Sequence, residues 1–94
     1  MSTQIAAAPI GTVVRVTGDI ASAVLRPESA VQAFEVEIAD ESGALTLVWL
    51  GRNTIVGIVP GRRLTVEGRI VRHGHLRLMY NPRYELHPRH SDER

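Results

Sequence analysis

The chain contains no cysteine and no lysine, and only four of its residues are aromatic. Without cysteine there can be no disulfide, no thiolate nucleophile and no thiolate metal site, which fits a reducing compartment. No apolar run approaches the roughly 18 residues that a membrane-spanning helix needs. Residues 1–8 also lack the basic segment that opens a signal peptide. These absences predict a cytoplasmic protein that does not enter the membrane.

The positive charge is carried by arginine alone, at eleven positions. A GC-rich genome favours arginine codons, and the guanidinium group also offers a planar set of donors that suits phosphates and stacks on bases. The charges are unevenly distributed: residues 1–50 hold two arginines and six acidic residues, whereas residues 51–94 hold nine arginines and four acidic residues. This asymmetry favours a polyanionic partner.

The length of 94 residues and the 44% apolar content predict one globular domain. Residues 1–9 are small and polar and end at a proline, which predicts a loose leader. The domain is expected over residues 10–86, and residues 87–94 form a polar tail.

Short strands dominate the domain, and no window of ten or more residues keeps a helical period. The sequence Asp40-Glu41-Ser42-Gly43 predicts a hairpin turn. Gly68 indicates a bulge or bend in the fourth strand. Residues 20–31 are expected to form a loop, and residues 51–61 a short connector or helical turn. The five predicted strands are residues 12–17, 34–38, 44–50, 62–70 and 76–80.

Side-chain alternation predicts which residues of these strands point inward. Leu45, Leu47 and Trp49 share one parity, and Leu76, Leu78 and Tyr80 share another, so both sets are expected in the core. Five strands with a long first loop describe an all-β, five-stranded Greek-key barrel of the OB type, and an SH3-like barrel is the alternative.

Several strings carry a family resemblance over residues 12–86. They are Asp40-Glu41-Ser42-Gly43, the strand 45–52 (LTLVWLGR), the segment 59–68 (VPGRRLTVEG) and the segment 81–86 (NPRYEL). Together they resemble the small stand-alone OB-fold nucleic-acid-binding proteins of actinobacteria. More distantly they are similar to the wedge domain of the RecG helicase and to OB domains of the anticodon-binding type.

The resemblance implies an OB fold that binds nucleic acid, with DNA favoured over RNA through the helicase wedge. The chain has no phosphate-binding loop, so it carries no motor of the helicase kind. Leu50 stands where the wedge tends to carry a stacking aromatic, which argues against wedge-type strand separation. The expected activity is non-catalytic binding of single-stranded or partly unpaired nucleic acid with little sequence preference.

The OB fold usually binds across strands two and three and the neighbouring loops. The outward residues predicted there include Glu35 and Glu37 but no aromatic residue, so the attraction must come from arginines at the edges. Tyr84 is expected either to pack over the core or to lie in the groove. The candidate nucleic-acid-binding residues are Arg26, Arg52, Arg72, Arg77, Arg83 and Tyr84.

An alternative function belongs to another class. Val48, Leu50 and Met79 are predicted to point outward and to form an apolar patch. Such a patch suits an adapter that docks on a DNA repair or replication complex. A third possibility is a barrel that forms a homodimer.

Catalysis and cofactors find little support in the sequence. The pairs His73/His75 and His87/His90 could supply imidazole ligands, but they lie in a turn and in the tail without a carboxylate or thiolate at the spacing of a structural site. Neither a nucleophile elbow nor a pair of acid–base carboxylates is present. We therefore expect no enzyme activity, no metal and no cofactor.

Overall fold

The structure is a computed structural model that describes residues 3–27 and 32–88. Within these residues the protein is all-β, apart from a single turn of 3₁₀ helix at Ile5–Ala7. The described chain has no helix long and apolar enough to cross a membrane. The strands are β1 (Val13–Arg26), β2 (Ala33–Ala39), β3 (Ala44–Leu50), β4 (Arg63–His73), β5 (Leu76–Tyr80) and β6 (Arg83–Leu86).

The strands pair into a ring. Their order is β1-β2-β3-β5-β4, and β4 also pairs with β1, so the first five strands close on one another. All of these pairings are antiparallel except that between β3 and β5. The sixth strand continues the fifth after a break at Asn81, which has a φ of 49°, and pairs with β4. This is the Greek-key OB fold that the sequence predicts.

Strand β1, with 14 residues, is more than twice as long as the predicted strand over residues 12–17. Residues 13–19 pair with β4, and residues 19–26 pair with β2 after a register shift between Ile20 and Ser22. The predicted loop over residues 20–31 is therefore wrong for residues 20–26, which are strand, and residues 28–31 lie outside the described residues. Residues 21–23 (Ala-Ser-Ala) have a low β propensity, but this half of β1 is held by its pairing with β2.

The interior of the ring holds one apolar cluster. Leu45, Leu47 and Trp49 are buried in it, as their parity predicts. Trp49 also donates a hydrogen bond from its indole nitrogen to the carbonyl oxygen of Pro82, at 3.3 Å. The connector over residues 51–62 contains turns and no helix, and it contributes Ile55 and Ile58 to the same cluster.

The segment before β1 is part of the fold, contrary to the prediction of a loose leader. Ile5 has no exposed surface and belongs to the core cluster. Its N–H donates to the Oδ2 atom of Asp40 at 2.8 Å, and the N–H of Ala6 donates to the Ser42 hydroxyl at 2.9 Å. Arg77 donates from its guanidinium group to the carbonyl oxygens of Ile5 and Ala8. Residues 3–8 are thus held by side chains from the β2–β3 turn and from β5.

Asp40 organises the β2–β3 turn. Burial of the carboxylate would raise its pKa, but hydrogen bonds from the Ser42 hydroxyl and from the backbone N–H groups of Ile5, Ser42 and Gly43 prevail and lower the pKa to about 2. These bonds explain why an Asp and a Ser stand in this turn. The turn is structural, as its sequence indicates.

The predicted bounds of β5, residues 76–80, are confirmed, but the assignment of its inward and outward faces is reversed. Met79 is fully buried in the ring, whereas Leu76 and Tyr80 are exposed and Leu78 lies in a second cluster on the outer face. Alternation misleads here because both faces of β5 carry apolar residues. Leu76, Leu78 and Tyr80 alternate along the outer face. Arg77 therefore lies on the same side of the strand as Met79.

Gly68 forms no bulge. The register between β1 and β4 continues through it without a shift. A Cβ atom at this position would lie 2.8 Å from both Cγ and Sδ of the Met79 side chain. Glycine is therefore favoured here by the close approach of the core methionine.

Candidate nucleic-acid interface

A groove runs over the outer face of the second half of β1, β2, β3 and β5, and we call it the outer groove. Its volume is about 590 Å³. The strand registers place Val24, Glu35, Val48 and Tyr80 in one row across these four strands. The lining consists of Ser22, Val24, Arg26, Ala33, Glu35, Val36, Glu37, Thr46, Val48, Leu50, His73, Leu76, Leu78 and Tyr80.

The floor of the outer groove is apolar. Ala33, Val48 and Leu78 form a buried cluster, against which Val71 packs. Above this floor Tyr80 leaves 43% of its surface exposed, and Leu50 and Leu76 are exposed as well. An aromatic ring on an apolar floor suits a flat ligand that stacks.

The polar groups of the outer groove are of both signs. The Nε atom of Arg26 lies 3.4 Å from the Oε1 atom of Glu35. Glu37 is exposed on the same strand, between Ser22 on β1 and Thr46 on β3. His73 lines the groove from the turn end of β4. With one arginine and two glutamates, the lining is not a basic trough.

The sequence-predicted arginines do not converge on this groove. Arg26 lines it, whereas Arg52 is exposed in the connector directly after β3. Arg72 and Arg77 are register partners near the β4–β5 turn. Arg72 is exposed, but the Arg77 guanidinium is bonded to the carbonyls of the N-terminal segment. Arg77 therefore anchors the N-terminal segment, a structural role that the sequence does not indicate.

Arg83 and Tyr84 lie at β6 and line a smaller depression of about 220 Å³. Tyr84 meets the buried Trp49 edge to face, with ring centroids 5.7 Å apart, and keeps part of its surface exposed. The structure thus places Tyr84 over the core and outside the lining of the outer groove. The depression is lined by Arg15, Thr65, Glu67, Arg83, Tyr84 and Glu85.

Tyr80 is the residue of the groove that sequence reasoning missed. The parity error in β5 assigned it to the core, so the predicted binding face had no aromatic side chain. The sequence does place Tyr80 at the end of β5, directly before the break at Asn81-Pro82. The same error affects the predicted apolar patch: Val48 and Leu50 do face outward, but Met79 does not, and Leu76 and Leu78 take its place.

The histidines do not assemble a metal site in the described part of the chain. No group of three or more histidine, aspartate or glutamate side chains there is arranged to hold an ion. The Nε2 atom of His87 lies 2.7 Å from the Thr65 hydroxyl, and His90 lies outside the described residues.

Comparison with solved structures supports the fold. The p204 HINb domain superposes with a TM-score of 0.74 and 17% sequence identity, covering 93% of this chain and 47% of that chain. A second chain, described as "Structural mimicry for functional antagonism", gives a TM-score of 0.70 and 10% identity, covering 90% of this chain and 44% of its own. The present chain thus spans about half the length of either neighbour. No protein-family model and no curated protein matches the sequence.

Proposed function

We propose that the protein is a non-catalytic OB module that binds single-stranded nucleic acid, preferably DNA, along the outer groove. The observation that carries this proposal is Tyr80, an exposed aromatic ring beside an apolar floor on the sheet face that OB folds use for oligonucleotides. Arg26 at the edge of the groove would contact phosphate, with Arg52 and Arg72 as further candidates outside it.

The balance of forces predicts modest affinity. Stacking of one base on an aromatic side chain contributes about 1–3 kcal/mol. Glu35 and Glu37 oppose this by repelling phosphate, although Arg26 partly neutralises Glu35 and salt screens the exposed Glu37. If the bases lie in the groove and the phosphates lie along its rim, the bases can stack while the phosphates stay away from the glutamates.

The proposal predicts that Tyr80→Ala weakens binding of a labelled twelve-nucleotide DNA strand by about 5- to 150-fold, the equivalent of one lost stacking interaction. Fluorescence anisotropy at low salt is the measurement. Tyr80→Phe is the matched control, and it should bind nearly as well as the wild type because it keeps the ring. Failure of the wild-type protein to bind any strand at low salt would refute the function.

The apolar surface favours a second candidate, a protein-interaction adapter. Val24, Leu50 and Leu76 are exposed in or beside the groove, where a peptide could cover them. Under this alternative the wild type binds no oligonucleotide, and Leu50→Asp removes a protein partner that Arg72→Glu leaves bound. Co-purification of the two variants in parallel distinguishes this alternative from nucleic-acid binding.

A further inference from the structure

The outer groove carries a carboxylate in line with its aromatic ring. Glu35 and Tyr80 flank Val48 in the same cross-strand row. Two strand spacings, about 10 Å between backbones, separate them. A base that stacks on Tyr80 and extends over Val48 would have Glu35 within reach of its hydrogen-bonding edge.

The Glu35 carboxylate has one cationic neighbour among the described residues. Arg26 contacts its Oε1 atom at 3.4 Å, and no other described residue is hydrogen-bonded to this carboxylate. The side chain keeps 36% of its surface exposed, so a ligand can reach it. An ionised carboxylate only accepts hydrogen bonds. It repels phosphate but binds a base that presents donors.

We infer that Glu35 gives the groove a preference for guanine. This inference rests on the proposed function. Unpaired bases are recognised on their Watson–Crick edges. On that edge guanine presents two adjacent donors, N1–H and the 2-amino group, which match the two oxygens of a carboxylate. Cytosine and adenine present an amino group beside an acceptor, and thymine presents one N–H between two carbonyls. The order of affinity is guanine first and thymine last.

The test compares twelve-nucleotide strands that differ only at every third base: d(TTG)₄, d(TTI)₄ with inosine for guanine, d(TTC)₄ and dT₁₂. Guanine and inosine share the purine ring system, so this pair isolates the 2-amino donor from the stacking area. Single guanines separated by thymines avoid guanine-run structures. Wild-type protein should bind d(TTG)₄ about tenfold more tightly than dT₁₂, within the range of one good carboxylate–base contact. The d(TTI)₄ strand should fall between them, since inosine lacks the 2-amino donor.

Two variants assign the preference to Glu35. Glu35→Gln presents an amide N–H₂ where guanine needs a second acceptor, so the ratio between d(TTG)₄ and dT₁₂ should fall to about two or less. Glu37→Gln removes a charge of the same sign from the same strand, and it should raise the affinity for all four strands while the ratio persists. Glu41→Gln is the distant control, since Glu41 lies in the β2–β3 turn outside the groove lining. It should change neither the affinity for the four strands nor the ratio between d(TTG)₄ and dT₁₂.

The outcomes distinguish failure of the guanine preference from failure of the proposed single-strand binding. Equal binding of all four strands by the wild type would overturn the guanine preference and leave single-strand binding standing. A preference that survives Glu35→Gln would overturn the assignment to Glu35. Absence of binding to every strand would refute the proposed function itself.

Discussion

At the scale of single residues, backbone contacts leave no room for a side chain at Gly18. This residue lies in β1 directly before Asp19, where the strand exchanges its partner β4 for β2. A Cβ atom there would lie 2.9 Å from the carbonyl oxygen of Ala39 on β2. Because that oxygen belongs to the backbone of a paired strand, it cannot move aside as a flexible side chain would. The sequence predicts that the first strand ends just before Gly18. In the structure the strand continues through Gly18 and changes its pairing partner at the next residue.

Gly18→Ala should therefore destabilise the fold by about 1–3 kcal/mol, the usual cost of overpacking a close contact. Urea unfolding measures the change, provided that the free energy of unfolding falls with urea concentration at the same slope in both proteins. Gly43→Ala is the matched control. Its Cβ would meet Ala6 at an ordinary 3.6 Å, and the backbone there is not left-handed, so its stability should stay within about 0.5 kcal/mol of the wild type. Equal effects at the two sites would show that β1 and β2 are not packed as described.

At the scale of elements, alternation assigns the faces of a strand when its two sets of alternate residues differ in size and polarity. In β3 the inward positions of Leu45, Leu47 and Trp49 are confirmed, since the opposite set begins with the small or polar residues Ala44 and Thr46. In β5 the outer face is itself the floor of a groove, so Leu76 and Leu78 imitate a core pattern. The apolar character of the groove face therefore concealed it from an analysis based on alternation. Its aromatic residue could not be assigned from parity alone.

The segment before β1 shows a second limit of local patterns. Alanine-rich residues ending at a proline give no strand or helix signal, and the contacts that hold them come from Asp40, Ser42 and Arg77, at least 35 positions away along the chain. Long-range contacts of this kind cannot be inferred from composition. Ile5 is nevertheless a large apolar side chain among small ones, and it enters the core.

We predict that Ile5→Ala lowers the free energy of unfolding by about 2–5 kcal/mol, as expected for truncation of a fully buried isoleucine. Ile10→Ala is the matched control in the same segment. With 43% of its surface exposed, Ile10 should contribute less than about 1 kcal/mol. Thermal and urea unfolding of both variants provide the comparison. Similar stability of the two variants would mean that the N-terminal segment is not docked in solution.

At the scale of the whole molecule, folding removes much of the charge asymmetry that the sequence displays. Arg63 lies 3.0 Å from Asp19, and Arg15 lies 3.3 Å from Glu85, so each pair joins the acidic half of the chain to the basic half. Arg77 is engaged by backbone carbonyls, and only Arg26 among the sequence-predicted arginines lines the outer groove. Within the described residues the arginines are thus distributed over several faces rather than gathered in one trough.

This distribution predicts a shallow dependence of binding on salt. Each phosphate neutralised on a single strand contributes about −0.7 to the slope of log K against log salt concentration. Contact through Arg26 alone gives a slope near −0.7, whereas contact through all five arginines predicted from the sequence would give about −3.5. Anisotropy titrations over a tenfold range of salt should yield a slope shallower than about −1.5. Arg26→Gln should flatten it, and Arg69→Gln, on the outer face of β4 beside β1, should not. A slope as steep as −3.5 would show that the strand leaves the outer groove and follows the arginines around the ring.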